Sequence, residues 1–223
     1  MRSLIFDTET TGLPSTKTIS PEKLALWPHI VQFSYVIYDT ELNDIVHSCD
    51  AIIRLDDGIS IPEGSIQFHG ITEPIMREKG VLLAPVLSEF CRNLKEVDMI
   101  AGHNVAFDIN MIRVEMMRLQ GTEGLEECLD YFINYKNIYC TMQESIELCN
   151  IQKVSRFGKI SRKWPKLVEL HEKLFVEAPN NLHNSYNDIL VTLRCYEKIR
   201  HNVDLLETCE KFREISQEIG LYS

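Results

Sequence analysis

The first ten residues contain the feature that most restricts the possible folds. Residues 3–6 (SLIF) form a short, mostly apolar run that is typical of a buried strand and too brief for a helix. Two carboxylates, Asp7 and Glu9, follow with one residue between them. Residues two apart on a strand share a face, so both can point toward one site. A turn-forming Asp beside a solvated Glu is the structural alternative.

Other segments extend this strand into an α/β pattern. Residues 30–38 and 45–54 are rich in β-forming residues and are separated by a turn-like DTELND, and residues 98–102 (DMIAG) predict a further strand. Residues 56–70 read as a loop. Helices are predicted at 72–78 (with Thr72 as N-cap), 85–95, 104–119, 137–149, 167–175, 182–200 and 203–219. The pattern predicts a mixed sheet in a single domain over residues 1–223.

Composition excludes some classes of protein. The 223 residues are 44% hydrophobic and 25% charged, which is typical of a globular protein. A net charge of −10 argues against coating polyanions by bulk attraction, although nucleic acid can still bind at a local site. No signal-peptide core and no apolar run near the roughly 20 residues of a membrane span is present. We therefore expect an intracellular protein, cytoplasmic or nuclear, without membrane contact.

Two further sequence features are less specific. The seven cysteines include no CxxC pair and are odd in number, so free thiols are expected rather than a disulfide framework or a zinc site. Residues 151–166 contain six basic residues and no acidic one. This stretch is either a solvated loop or a basic rim beside a site for a polyanion.

Two later segments supply partners for the first pair of carboxylates. GHNVAFD ends in Asp108, in the first or second turn of a predicted helix, where the helix dipole alone could also explain an acid. LHNSYND places His183 five residues before Asp188. That spacing does not align the two on a helix, but His183 can lean over the same site from a preceding loop.

Four carboxylates without a nearby cysteine suit Mg²⁺ or Mn²⁺ better than zinc. Without a cation they would repel one another and their pKa values would rise, so their convergence is costly unless metal binds. Two such ions can stabilise the attacking and leaving oxygens of a phosphodiester. A neutral histidine beside them can take a proton from water near neutral pH.

The three motifs FDTETTGL, GHNVAFD and HNSYND, in this order, closely resemble those of the DEDDh 3′–5′ exonucleases, the family of the proofreading epsilon subunit of bacterial DNA polymerase III. Further similar stretches are WPHIVQFSYVIYD, FHGIT, CTMQES and KWPKLVELHEKLF. The resemblance covers about residues 2–200 and leaves the helix predicted at about 203–219 without a counterpart. It implies a ribonuclease-H-like fold, with a mixed five-stranded sheet flanked by helices.

The resemblance also implies roles for individual residues. Asp7, Glu9, Asp108 and Asp188 would bind two Mg²⁺ or Mn²⁺ ions, and His183 would be the general base. Tyr186, in the same motif, is a poorer base because a tyrosine has a reference pKa near 10.

Residues implied to contact the substrate are Thr10, Leu13, His69, His103 and Phe107. Two of them have structural alternatives, since Phe107 has helical core spacing and His69 could satisfy backbone groups in a turn. Asn104 is expected to cap the following helix rather than bind substrate.

The predicted function is a metal-dependent 3′–5′ exonuclease that releases nucleoside 5′-monophosphates from single-stranded or 3′-end nucleic acid. DNA is favoured, in proofreading or repair and with a possible polymerase partner, because FDTETTGLP and KWPKL most resemble the polymerase-associated branch. An exoribonuclease and a catalytically inactive nucleic-acid-binding module on the same fold are the alternatives.

Overall fold

A mixed five-stranded sheet forms the centre of the protein, as predicted. The computed structural model describes residues 1–122, 124–154 and 156–222. The sheet has the order β3-β2-β1-β4-β5, in which the first three strands are antiparallel and β4 and β5 run parallel to β1. Its strands are β1 (Arg2–Thr10), β2 (Ile30–Asp39), β3 (Asp44–Ile52), β4 (Met99–Gly102) and β5 (Ile138–Cys140).

Helices cover both faces of this sheet. A short 3₁₀ helix, Pro21–Leu26, lies between β1 and β2. The α-helices are α1 (Glu63–His69), α2 (Glu73–Lys79), α3 (Leu83–Leu94), α4 (Val105–Arg118), α5 (Leu125–Asn134), α6 (Thr141–Glu144), α7 (Ile146–Cys149), α8 (Leu167–Phe175), α9 (Ser185–His201), α10 (Leu205–Thr208) and α11 (Glu210–Glu218).

The alternation of side chains along β1 divides the core into two layers. Phe6 packs on one face against Phe90 of α3 and Phe132 of α5, with ring centroids 5.7 and 6.3 Å away. Ile5 points to the opposite face and packs in the cluster that contains the buried residues of α9. Because β1 is covered on both sides, its polar residues near the end of the strand face two different helices.

The parallel strands bring their carboxyl ends to one edge of the sheet. Ile5 of β1 pairs with Ala101 of β4, and Gly102 pairs with Cys140 of β5. A Cβ atom at Gly102 would lie 3.0 Å from Val105 Cγ2 and 3.2 Å from the Phe6 carbonyl oxygen. Glycine therefore permits the tight turn that starts α4 beside the end of β1.

Several predicted elements differ from those observed. The predicted helix at 137–149 begins instead as β5, continues as α6 and α7, and supplies the fifth strand. The predicted loop at 56–70 contains α1, which ends at Gly70 in the left-handed conformation (φ 73°). The predicted helix at 203–219 is divided into α10 and α11 at Cys209, whose Sγ accepts a hydrogen bond from the Phe212 amide.

The expectation of free thiols is correct for five of the seven cysteines and wrong for two. Cys91 of α3 and Cys128 of α5 are bonded, with a Cα–Cα distance of 5.8 Å. Both are buried, and 37 positions separate them in the chain. No local spacing pattern can reveal such a pair, because packing of the two helices brings it together.

Residues 151–154 and 156–166 lie outside the main sheet and contain a β-hairpin. Strands β6 (Gln152–Val154) and β7 (Ile160–Arg162) pair antiparallel with each other, and all six of their residues are exposed. No helix among the described residues is both long and apolar enough to cross a membrane.

Candidate active site

Three predicted carboxylates converge at the edge where β1 ends. One carboxylate oxygen from each of Asp7, Glu9 and Asp188 lies within 4.8 Å of the others. Asp7 and Glu9 share the face of β1 that packs against α9, and Asp188 lies in the first turn of that helix. Strand alternation and one helix–sheet contact are thus sufficient to form this cluster.

Asp108 reaches the site from the other face of β1. Its Oδ1 accepts hydrogen bonds from the Thr8 amide at 3.0 Å and from Thr8 Oγ1 at 2.7 Å. It does not belong to the three-carboxylate cluster, yet among the neighbouring charges it contributes most to the raised pKa of Asp7. Thr8 was not predicted as a site residue. Its place between Asp7 and Glu9, which puts its side chain on the other face of β1, was the available signal.

Burial and mutual repulsion raise the pKa values of these acids. Burial is the main cause that raises the pKa of each of the four. The charge of Asp188 adds to burial to raise the pKa of Glu9 to about 8. The pKa of Asp108 and that of Asp188 are raised to about 7, with hydrogen bonds from Thr8 and from the His183 amide acting in the opposite direction. A bound cation would favour the ionised forms.

A hydrogen-bond network fixes the start of α9 and hence Asp188. The hydroxyls of Ser34 and Ser185 are 2.6 Å apart, and Ser34 Oγ donates to Asp50 Oδ1 at 2.8 Å. Gln32 Nε2 also donates to Asp50 Oδ1, while the Ser185 amide donates to Gln32 Oε1 at 3.3 Å. Polar side chains of β2 and β3 therefore anchor the helix that carries Asp188.

His183 lies in the loop before α9. Its backbone is in the left-handed region (φ 71°), its amide donates to Asp188 Oδ1 at 3.3 Å, and its side chain is exposed. The imidazole and the Phe68 ring are nearly perpendicular, with their centroids 5.8 Å apart. Asn184 then caps α9 by accepting hydrogen bonds from the Tyr186 and Asn187 amides.

An open cavity of about 560 Å³ borders the carboxylates. Its lining brings together five of the predicted residues, namely Glu9, Thr10, Leu13, His69 and His183. The remaining lining residues are Thr11, Gly12, Pro62, Gly64, Ser65 and Phe68. Leu13 is 83% exposed at its rim, and Phe68, which sequence reasoning missed, adds an exposed aromatic ring from α1. The cavity is mainly apolar, and Glu9 is the carboxylate of the cluster that lines it.

His69 is a buried part of the cavity wall. Its Nδ1 accepts a hydrogen bond from the Ile71 amide at 3.0 Å, and Nε2 has no partner among the described residues. Burial lowers the pKa of His69, and the nearby Thr10 carbonyl offsets this only partly. The ring thus satisfies a backbone amide, which was the structural alternative for this residue, and it also lines the cavity.

The structure places His103 and Phe107 outside the cavity lining. His103 Nδ1 lies 3.0 Å from Thr141 Oγ1, and its Nε2 lies 3.1 Å from the Pro165 carbonyl oxygen. Burial lowers the pKa of His103 to about 4. Phe107 is partly buried and packs against the core layer that contains Phe6 and Phe90. Asn104 occupies the N-cap position of α4, but its side chain makes no capping hydrogen bond.

Comparison with known proteins identifies the family to which the chain belongs. A sequence model of an exonuclease family (RNase_T) matches residues 4–196. The chain belongs to this exonuclease family. The predicted resemblance to DEDDh 3′–5′ exonucleases and the predicted enzyme class are thereby confirmed at the level of the domain. The single domain predicted over residues 1–223 stays a prediction.

The individual proteins that the chain resembles differ widely from it in sequence. The chain is 27% identical over 119 residues to the DNA polymerase III subunit epsilon of Buchnera aphidicola, which is 52% of this chain and 44% of that protein. Exonuclease I of E. coli in complex with a dA16 oligonucleotide has a similar fold, with a TM-score of 0.59 and 21% identity over 90% of this chain and 41% of that one. The chain thus spans less than half the length of either protein.

A third similar structure is a 3′-exonuclease described in 3′-end specific recognition of histone mRNA stem-loop. It has a TM-score of 0.57 and 14% identity, over 94% of this chain and 65% of that one. At these identities the solved structures show a shared exonuclease fold of the ribonuclease-H-like type, which confirms the predicted fold class.

Proposed function

We propose that this protein is a metal-dependent 3′–5′ exonuclease that releases nucleoside 5′-monophosphates from DNA ends. The observation that carries the proposal is the convergence of Asp7, Glu9 and Asp188 beside an open cavity, with Asp108 held alongside by Thr8. Four acids of raised pKa at one edge are unfavourable in a purely structural role. Their arrangement suits a reaction that needs concentrated oxygen ligands.

The donor set fits two Mg²⁺ or Mn²⁺ ions. Carboxylate oxygens are the ligands that these hard cations prefer, and no cysteine contributes to the cluster. Asp7, Glu9 and Asp188, with Asp108 alongside, would hold the ions. When bound, such ions stabilise the negative charge that develops on the phosphate oxygens during hydrolysis.

His183 is proposed as the general base. Its imidazole lines the cavity, its own backbone bonds to Asp188, and its exposed position lets water and substrate reach it. An imidazole can accept a proton from an attacking water near neutral pH. The left-handed backbone at His183 and the cap at Asn184 place His183 in the loop before α9, which supports its assignment as a base that acts beside the acids.

The cavity would hold the 3′-terminal nucleotide. Its volume of about 560 Å³ lies within the range of small-ligand sites, roughly 300–1,000 Å³. Leu13 and Phe68 offer apolar surface for a base, Thr10 offers polar groups for a sugar, and Glu9 and His183 mark the end at which the phosphate would lie. His103 and Phe107 would then act by supporting the loop and helix that carry Asp108.

DNA is the proposed polymer, because the motifs resemble those of the polymerase-associated branch and the epsilon subunit is among the relatives. The same resemblance supports proofreading or repair and a polymerase as a possible partner. An exoribonuclease is the second candidate, because a 3′-exonuclease that recognises an mRNA stem-loop shares the fold. The 2′-hydroxyl is the group that would distinguish the two polymers.

The test is digestion of matched single-stranded DNA, mismatched primer-template and RNA, each labelled at the 5′ end, in Mg²⁺ or in chelator. We expect stepwise shortening from the 3′ end in Mg²⁺, loss of activity in chelator, and faster digestion of DNA than of RNA. Asp7→Asn and His183→Ala should stay folded and lose activity, whereas Asp57→Asn, which removes an exposed carboxylate outside the site, should not. Full activity of Asp7→Asn, or digestion in chelator, would overturn the proposal, and faster digestion of RNA would favour the second candidate.

A further inference from the structure

The proposed reaction leaves one prominent surface unexplained, the hairpin that contains β6 and β7. We call its described residues, 151–154 and 156–166, the basic hairpin. Its strands pair with each other and not with the main sheet, and none of their residues is buried. It adds nothing to either core layer, so packing does not explain its composition.

The basic hairpin combines positive charge with exposed rings. It contains six basic residues and no acidic one, in a chain whose net charge is −10. Phe157 is 82% exposed and Trp164 is 61% exposed, and the Arg156 guanidinium lies 4.8 Å from the centroid of the Phe157 ring. Aromatic rings interleaved with cations are the groups that bind single-stranded nucleic acid, through base stacking and attraction to phosphates.

The base of the basic hairpin is fixed at the edge of the sheet that carries the acids. The Pro165 carbonyl accepts a hydrogen bond from His103, which directly follows β4. His103 is also 3.0 Å from Thr141, the first residue after β5. Asp108 lies one helical turn into α4, about 5 Å of rise from its start. The C-terminal end of the hairpin, at Pro165, therefore lies close to the carboxylates and on the side of them where β4 and β5 are found.

The open cavity lies on the other side of the same carboxylates. Apart from Glu9, Thr10 and His183, its walls are residues that follow β1 and residues of and before α1, whose Ile66 packs in a cluster with Val31 of β2. Since β1 stands between β2 and β4 in the sheet, the acids lie between the cavity and the basic hairpin. A strand whose 3′ end enters the cavity would cross the acids and continue toward the hairpin.

From this arrangement we infer that the basic hairpin binds the single-stranded part of the substrate, on the 5′ side of the bond that is cleaved. The inference rests on the proposed function, since it takes the end of the strand to lie in the cavity.

Two of the cations hold the hairpin in place rather than face a substrate. Arg162 pairs with Glu147 and donates to Asn150 Oδ1 at 2.9 Å, and Lys163 pairs with Glu169. Lys153 makes no ion pair within the described residues, and Arg156 contacts the Phe157 ring. The contact set chosen for the test consists of two exposed cations, Lys153 and Arg156, and two exposed rings, Phe157 and Trp164.

The test compares a long and a minimal substrate. Binding of single-stranded DNA of about 30 nucleotides, longer than the roughly 4–16 that a stacking site covers, is measured by fluorescence anisotropy in chelator. Cleavage of the p-nitrophenyl ester of thymidine 5′-monophosphate, measured in Mg²⁺, reports on the acids and the cavity alone. The variants are Phe157→Ala, Trp164→Ala and the pair Lys153→Gln and Arg156→Gln.

Each ring variant should weaken binding of the long strand at least about five-fold, which corresponds to loss of one stacked base. The pair of charge variants should reduce the slope of log Kd against log salt by about 1.4, the value for two phosphate contacts on a single strand. Ester cleavage should be unchanged in all of them.

The matched control is Lys95→Gln with Lys136→Gln, which removes two charges from the segments that precede β4 and β5, at the opposite edge of the sheet. This control should leave the salt slope unchanged. Long-strand binding equal to wild type in all hairpin variants, or an equal change in the control, would overturn the inference. Failure of the proposed function looks different, because Asp7→Asn would then cleave the ester at the wild-type rate.

Discussion

The hydrogen bond from Thr8 to Asp108 gives the sharpest test of how the site is built. Thr8 is buried in β1, and its Oγ1 donates to Asp108 Oδ1 at 2.7 Å. Thr8→Val replaces the hydroxyl by a methyl group of similar shape and keeps a residue that suits a strand. The Thr8 amide still donates to the same oxygen, so the change removes one of two bonds to a buried carboxylate.

The expected cost follows from the charge of the acceptor. A hydrogen bond to an ionised group contributes about 1.5–3 kcal/mol, whereas a neutral pair contributes about 0.5–1.5 kcal/mol. The pKa of Asp108 is raised to about 7, so the carboxylate is mostly ionised at pH 8 and mostly protonated at pH 6. In chelator the variant should lose about 1.5–3 kcal/mol of unfolding free energy at pH 8 and less at pH 6. At about 2–4 °C per kcal/mol, Tm falls by roughly 3–12 °C at the higher pH.

Thermal unfolding at both pH values measures this loss, and Thr8→Ser is the matched control because it keeps the hydroxyl. In Mg²⁺, Thr8→Val should cleave DNA at least about ten-fold more slowly than wild type, because the lost hydrogen bond also positions Asp108 in the transition state. A Thr8→Val protein with the wild-type Tm at pH 8 would refute the claim that this bond holds Asp108. Equal losses at pH 6 and pH 8 would show that packing, not the charge of Asp108, is responsible.

Two further predictions concern stability away from the acids. Replacing Cys91 and Cys128 by Ala should cost about 4 kcal/mol, because the 37-residue separation sets the loop entropy that the bond removes, and urea denaturation with and without reductant would measure it. Arg194 is buried, bonds Asp204 through Nε and Nη2 at 2.8 Å each, and also pairs with Glu177 through Nη1 at 2.6 Å. Arg194→Met should therefore cost about 3–5 kcal/mol by leaving both carboxylates without their cation. Adding Asp204→Asn should recover part of that loss, and no recovery in urea denaturation would contradict the ion-pair explanation.

Local signals predicted the elements that carry the site. Helix α8 has the predicted bounds, and α4 and α9 begin and end within a few residues of them. The alternation of Asp7 and Glu9 placed both on one face of β1. These features depend on the periodicity of side chains and on helix caps, which are properties of residues close together in the chain. Thr72 is such a cap, since its Oγ1 accepts a hydrogen bond from the Ile75 amide.

Features that depend on distant partners were not predictable in this way. Strand β5 has three residues and exists because Ile138–Cys140 pair with the end of β4, whereas its own sequence predicts the start of a helix. The bond between Thr8 and Asp108 spans 100 positions, and only the packing of α4 against β1 creates it. Tertiary contacts override local propensity in each case.

Both faces of β1 carry residues of the site, so the site depends on the register of this strand as well as on its acids. Asp7 and Glu9 meet α9 on one face, while Thr8 meets α4 on the other, so a slip of one residue would exchange the two sets. The register is fixed by the same alternation in the core, where Leu4 and Phe6 are buried in one layer and Ile5 in the other. Exposing one such side chain costs about 1.5–3 kcal/mol, and a slip would misplace all three. The apolar residues that stabilise the sheet therefore also decide which helix each polar residue meets, and the cluster of acids depends on the core that brings α4 and α9 to one edge.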